Sequence, residues 1–66
     1  MTAILKREEF RNSTDDATII VEKYQDKESS VPFWRYFIRY DRYGLISGCS
    51  DGLWHRPNKK RLQARF

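Results

Sequence analysis

Between Phe33 and Tyr43 the chain places six of its ten aromatic residues and interrupts them with Arg35, Arg39 and Arg42. So dense a group of rings must be buried at least in part. Phe, Trp, Tyr and Ile also fit a pleated surface better than a helix, so Phe33 to Tyr40 is expected to be a strand. Side chains alternate sides along a strand. Trp34, Tyr36, Ile38 and Tyr40 then form an almost wholly apolar face, the expected core, while Phe33, Arg35, Phe37 and Arg39 form a mixed basic and aromatic one. The competing conformation is a helix with Pro32 at a first helical position and Gly44 just past the end, which would align Arg35, Arg39 and Arg42 on one face.

The rest of the chain offers few other ways to build a core. With 66 residues it is one small domain, and a domain of this size buries only about 60% of the surface its unfolded form exposes. A core of this kind rarely supplies more than about 3–5 kcal/mol, so disulfides, metals or self-association often contribute. Cys49 is the only cysteine and His55 the only histidine. That excludes an internal disulfide and falls short of a structural zinc site. Self-association, or an unusually aromatic core, is what remains. No cofactor is expected.

Lys6, Arg7, Glu8, Glu9 and Arg11 crowd the first residues, where a secretory leader would be apolar. The longest aliphatic run, Ile19-Ile20-Val21, is far short of the roughly 20 apolar residues of a membrane span. A cytoplasmic or nuclear location is expected, with the unpaired Cys49 in keeping with a reducing compartment.

Thr18 to Tyr24 reads as a strand, being β-branched at its centre and bounded by Ser13-Thr14-Asp15-Asp16 and Asp26-Lys27-Glu28-Ser29-Ser30. A turn at Asp41-Arg42-Tyr43-Gly44 leads to a third strand, Leu45 to Ser50. Asp51-Gly52 suits a two-residue hairpin, in which both residues need positive φ, so Leu53-Trp54-His55-Arg56 is expected to pair back as a fourth strand. Asn58 is a good helix cap, and Leu62 and Phe66 four residues apart would dock a short terminal helix. The first dozen residues favour helix by the propensity of Lys6-Arg7-Glu8-Glu9, although Ile4 and Phe10 also fit one side of a strand.

Two layouts follow. The first is α+β, a small antiparallel sheet of three or four strands with a short C-terminal helix and an uncertain N-terminal one. The second is a small five-stranded SH3-like barrel. The first resembles the helix, three strands, helix order of double-stranded-RNA-binding domains, with Asn58-Lys59-Lys60 where such domains start a basic helix. Lys59-Lys60-Arg61-Leu62-Gln63 lacks the alanine and lysine that usually follow the paired lysines, and the loop Glu28 to Pro32 lacks the expected glycine, proline and histidine. The likeness stops at layout.

Charge is divided along the chain. Residues 1–30 hold five basic and seven acidic residues, a net −2, whereas residues 31–66 hold eight basic and two acidic ones, a net +6. That imbalance speeds encounter with phosphates or acidic surfaces without choosing between them. Cys49, Asp51 and His55 lie close in sequence, but an activated thiol needs a pocket and oxyanion donors that so short a chain can hardly enclose. Cys49 is expected to be a small buried hydrophobe, and no enzyme is expected. Gly44, Gly48 and Gly52 read as turn and bulge residues, and Ser47-Gly48-Cys49-Ser50 lacks the Gly-Lys-Ser/Thr ending of a phosphate loop.

Two residue sets carry binding chemistry. Phe37 between Arg35 and Arg39, extended by Arg42 and Tyr43, offers a ring for base stacking among cations; the bland alternative is that Phe37 packs under another element and the arginines are solvated. The basic segment 56–66, with Arg56, Lys59, Lys60, Arg61 and Arg65, would follow a phosphate backbone by counterion release. The expected function is a small nucleic-acid-binding module. Single strands or RNA are favoured, since Asn and Gln base readers and a long recognition helix are lacking. The alternative is a protein-interaction or inhibitor protein docking its Arg- and Tyr-rich strands on an acidic partner, because Tyr, Trp and Arg also dominate protein hot spots.

Overall fold

The computed structural model describes residues 3–28, 30–44 and 46–66, with the side chains of Ser47, Cys49 and Asp51 outside that description. Four strands and one helix follow in chain order: β1 Ala3–Arg11, β2 Ala17–Gln25, β3 Phe33–Tyr40, β4 Ile46–Leu53 and α1 Lys59–Arg65. The strands form an open antiparallel meander in the order β1-β2-β3-β4. This is the sheet-and-helix layout; the five-stranded barrel is not shown. Among the described residues no helix is long and apolar enough to cross a membrane.

β2 is the centre of the molecule. Ala17 to Val21 are all buried, on both faces of the sheet. Ala17, Ile19 and Val21 join Ile38 of β3 and Leu62 of α1 in one cluster, against which Phe10, Trp34, Tyr36, Tyr40 and Phe66 pack. The apolar face expected of Phe33 to Tyr40 is thus the core face, and α1 covers it. Asn58 caps the helix by accepting a hydrogen bond from the Arg61 N–H at 3.1 Å, which satisfies a donor that the first turn leaves open.

Besides Leu62, the buried side chain of Asn12 ties the helix to the sheet. Asn12 is 5% exposed; its Oδ1 accepts from the Asp16 and Ala17 N–H groups at 3.0 and 3.1 Å, and its Nδ2 donates to the Asp16 carboxylate at 2.6 Å and to the Phe66 carbonyl at 2.5 Å. The β1–β2 turn and the end of α1 therefore form one unit. Gln63 strengthens it, donating to the Arg11 carbonyl at 2.8 Å and accepting from the Ser13 N–H at 3.0 Å.

Two expectations are corrected. Residues 3–11 form a strand, not a helix, so the likeness to the helix-first order of double-stranded-RNA-binding domains ends there. Helix propensity differs by only tenths of a kcal/mol between such residues, roughly 0.7 at most, and eight residue pairs with β2 outweigh it. Asp51-Gly52 is not a hairpin, and Leu53 to Arg56 do not form a fourth strand: β4 runs through to Leu53, and the chain then leaves the sheet. Between Trp34 and Tyr36, and again between Phe37 and Arg39, β4 spends three residues where β3 spends two. Each extra residue falls beside a glycine of positive φ, Gly52 at 73° and Gly48 at 71°. These are β-bulges, which use the same glycine conformation as a tight turn. The expected strand start at Leu45 lies outside the described residues.

Candidate nucleic-acid interface

Among the described residues no helix or strand covers the face of the sheet opposite α1. Strand register sorts its side chains into rows: Ile4, Tyr24 and Phe33; then Arg7, Glu22 and Arg35; then Glu9, Ile20 and Phe37; then Arg11, Thr18 and Arg39. Arg35, Phe37 and Arg39 lie here, as alternation requires.

Arg35 is engaged on every side. Its Nε donates to Glu22 Oε1 at 2.8 Å, and its guanidinium carbon lies 4.6 Å from the Tyr24 ring centre and 5.3 Å from that of Phe37. The planar cation acts as a lid across two rings. Tyr24 beneath it is 5% exposed and its hydroxyl accepts from the Gly52 N–H at 3.1 Å, which pins the bulge of β4. Arg7 meets Glu9 at 3.2 Å and Glu22 at 3.8 Å. Arg11 binds Asp41 at 2.5 Å and Asp15 at 2.8 Å. Those two carboxylates, Asp41 first, hold the Arg11 guanidinium more firmly charged, and Arg11 in turn holds the Asp41 carboxyl below the usual aspartate range. The arginines at 7, 11 and 35 are neutralised by this chain's own acids. Arg39 and Arg42 make no ion pair among the described residues; Arg42 lies 5.7 Å from the ring of Tyr43, which is exposed in the β3–β4 turn.

The second basic set lies on the other side of the sheet. Arg56 pairs with Glu8 on β1, and Lys59 Nζ sits 5.3 Å from the Phe10 ring. Burial pushes the Glu8 carboxyl up, and Arg56 with Lys6 more than offsets it, leaving Glu8 below its usual range. Lys60, Arg61 and Arg65 lie exposed on α1, with Arg65 over the Phe66 ring at 5.3 Å. Among the described residues Lys59, Lys60, Arg61 and Arg65 make no ion pair. The fold therefore does not bring the two predicted sets together: Arg35, Phe37 and Arg39 face away from α1.

Sequence alternation placed Tyr36 in the core and did not show that it also borders a groove. It is only half-buried, and with Asn58, Arg61, Leu62, Ala64 and Arg65 it lines an open groove of about 520 Å³ beside α1. The spacing of Asn58, Arg61, Leu62 and Arg65 marks one helix face; that Tyr36 lies next to it is a tertiary fact with no local signal. His55 is exposed, and the side chains of Cys49 and Asp51 lie outside the described residues, as does the burial expected for Cys49.

No protein-family model, curated protein or solved structure matches this chain.

Proposed function

We propose that this chain is a nucleic-acid-binding module that meets its ligand through α1, with single strands as the preferred form. One observation carries this reading. The seven residues of α1 include four cations and no acid, and those cations make no ion pair among the described residues, whereas Arg7, Arg11 and Arg35 of the open face are matched by carboxylates. Cations without partners are the ones able to release counterions when a phosphate backbone docks. A seven-residue helix is about 10 Å long, too short to read a duplex groove over several base pairs, which favours a single strand.

Titration with oligonucleotides across a salt series tests the proposal. Affinity should fall linearly with salt on logarithmic axes, and replacing Lys59, Lys60 and Arg61 together by glutamine should flatten that slope by about two. Affinity absent at low salt overturns the proposal.

A second reading has one observation in its favour. Ile4 is 45% exposed and Trp54 66% exposed, and the Trp54 ring lies 4.8 Å from that of Phe33. This apolar end of the open face, beside the Arg7, Glu22 and Arg35 row, suits a protein partner. Loss of partner affinity in Trp54→Ala with oligonucleotide binding untouched would separate the two surfaces.

A further inference from the structure

We infer that the groove between Tyr36 and α1 is a nucleotide-stacking site, in which one base of a single strand lies against the Tyr36 ring and its phosphates meet Arg61 and Arg65. The inference rests on the nucleic-acid reading and goes beyond it by naming where a base is held.

Arginines lie beside rings on both faces of the sheet, and the two arrangements differ in how far the rings are already covered. On the face opposite α1, the Arg35 guanidinium already covers the rings of Tyr24 and Phe37 and is bound to Glu22. A base could stack there only by displacing an ion pair. Beside α1 Arg65 lies over the Phe66 ring, but among the described residues no cation covers the Tyr36 ring. The Tyr36 ring is fixed from one side by Phe66, with ring centres 6.0 Å apart and planes at 52°. Its hydroxyl has no hydrogen-bond partner among the described residues, so the ring's outer part is not committed elsewhere in the chain.

Arg61 and Arg65, one helical turn apart on α1, line the same groove and make no ion pair among the described residues. The backbone beneath them is anchored by the Asn58 cap and by Leu62, which is 6% exposed. Asn58 spends its side-chain oxygen on that cap, which leaves the amide N–H₂ to donate to a base carbonyl. Ala64 is the small residue that leaves the wall open. A volume of about 520 Å³ falls in the range of sites that hold small ligands. A flat ring, two guanidinium groups one turn apart and a free amide donor match the three parts of a nucleotide: base, phosphate and base edge.

The test compares an oligothymidylate of about a dozen residues with an abasic deoxyribose-phosphate strand of equal length and charge. The natural chain should bind the thymidylate about tenfold more tightly at the same salt, since stacking on one ring is lost in the abasic strand. Ala64→Leu, at an exposed helical position that a good helix former tolerates, should fill the groove and bring the two affinities together. Its helical circular dichroism should be retained. Equal binding of both strands by the natural chain overturns the stacking site while leaving the phosphate-binding reading intact. A preference that survives in Ala64→Leu also overturns it. Binding of neither strand at low salt overturns both readings together.

Discussion

On the covered face of the sheet, Ile19, Val21 and Ile38 disappear beneath Leu62 and Phe66 of the C-terminal segment; on the open face, Ile20 and Tyr24 are 4% and 5% exposed although no helix among the described residues lies above them. The open face is sealed instead by long side chains lying flat: Arg35 across Tyr24 and Phe37, with Glu22 and Arg7 alongside. An arginine so used gives up its availability to an outside anion and becomes part of the fold. The difference explains why cations that look alike in sequence separate into two kinds. Arg7, Arg11 and Arg35 of the sheet are structural and internally neutralised, whereas the cations of α1 stand on a surface whose apolar side is already buried and need no acid from this chain.

The comparison is broken most severely at neighbouring residues of β3. Ile38→Ala should cost about 2–5 kcal/mol, because a fully buried side chain leaves a cavity. That is comparable to the whole stability of a domain this size, so the variant should be largely unfolded in circular dichroism. Phe37→Ala, one residue away on the half-buried open face, should cost about 1 kcal/mol and melt cooperatively. Equal losses at both positions would show that the open face is as much a core as the covered one.

Next in size is Asn12→Ala, which strips the N–H groups of Asp16 and Ala17 and the Phe66 carbonyl of their partner. A loss of about 1–3 kcal/mol is expected in denaturant unfolding. Helical content should fall along with it, since this residue joins α1 to the β1–β2 turn. A stability loss with the helix signal untouched would argue that Leu62 and Phe66 alone hold α1 in place.

Removing the open-face lid should act more mildly. Arg35→Ala should lower stability by about 1–2 kcal/mol through the lost ring contacts and the Glu22 carboxylate left facing only Arg7. Arg35→Lys should recover part of this, because it restores charge without the planar lid. Oligonucleotide affinity should be unchanged in both, as the lid faces away from α1. A fall in affinity that exceeds the fall in folded fraction would move the interface to the open face.

The smallest effect concerns acid. The carboxyls of Asp41, held down by hydrogen bonds from Arg11, and Asp16, held down by those from Thr14 and Asn12, titrate lower in the folded chain than in the unfolded one. Their contribution is present above the unfolded aspartate value of about 4 and is lost as pH falls through the lower folded values. Melting temperature should therefore drop on acidification below about pH 4, and less steeply in Asp41→Asn. An identical pH profile in that variant would show that the Arg11 bridge at the sheet's rim carries no linkage.

Much of this architecture is legible in the amino-acid order. The β-branched centre of β2 and the alternation of rings and arginines in β3 determine both strands and assign each side chain to a face, because a strand's period of two leaves no other choice. Asn58, Leu62 and Phe66 likewise determine α1, since capping and one-turn spacing are local chemistry. What escaped the sequence depends on partners distant along the chain. β1 is made of helix-favouring charged residues and becomes a strand because β2 presents an edge to pair with; Gly48 and Gly52 have a positive φ that serves a turn or a bulge equally well, and only the register against β3 selects the bulge. The division of the cations was equally out of reach. Net charge adds along a chain without regard to direction, but whether an arginine meets a carboxylate, a ring or solvent is decided by which face of the sheet it occupies and what crosses it there. Tertiary structure alone set Glu22 beneath Arg35, and Tyr36 beside Arg61 and Arg65.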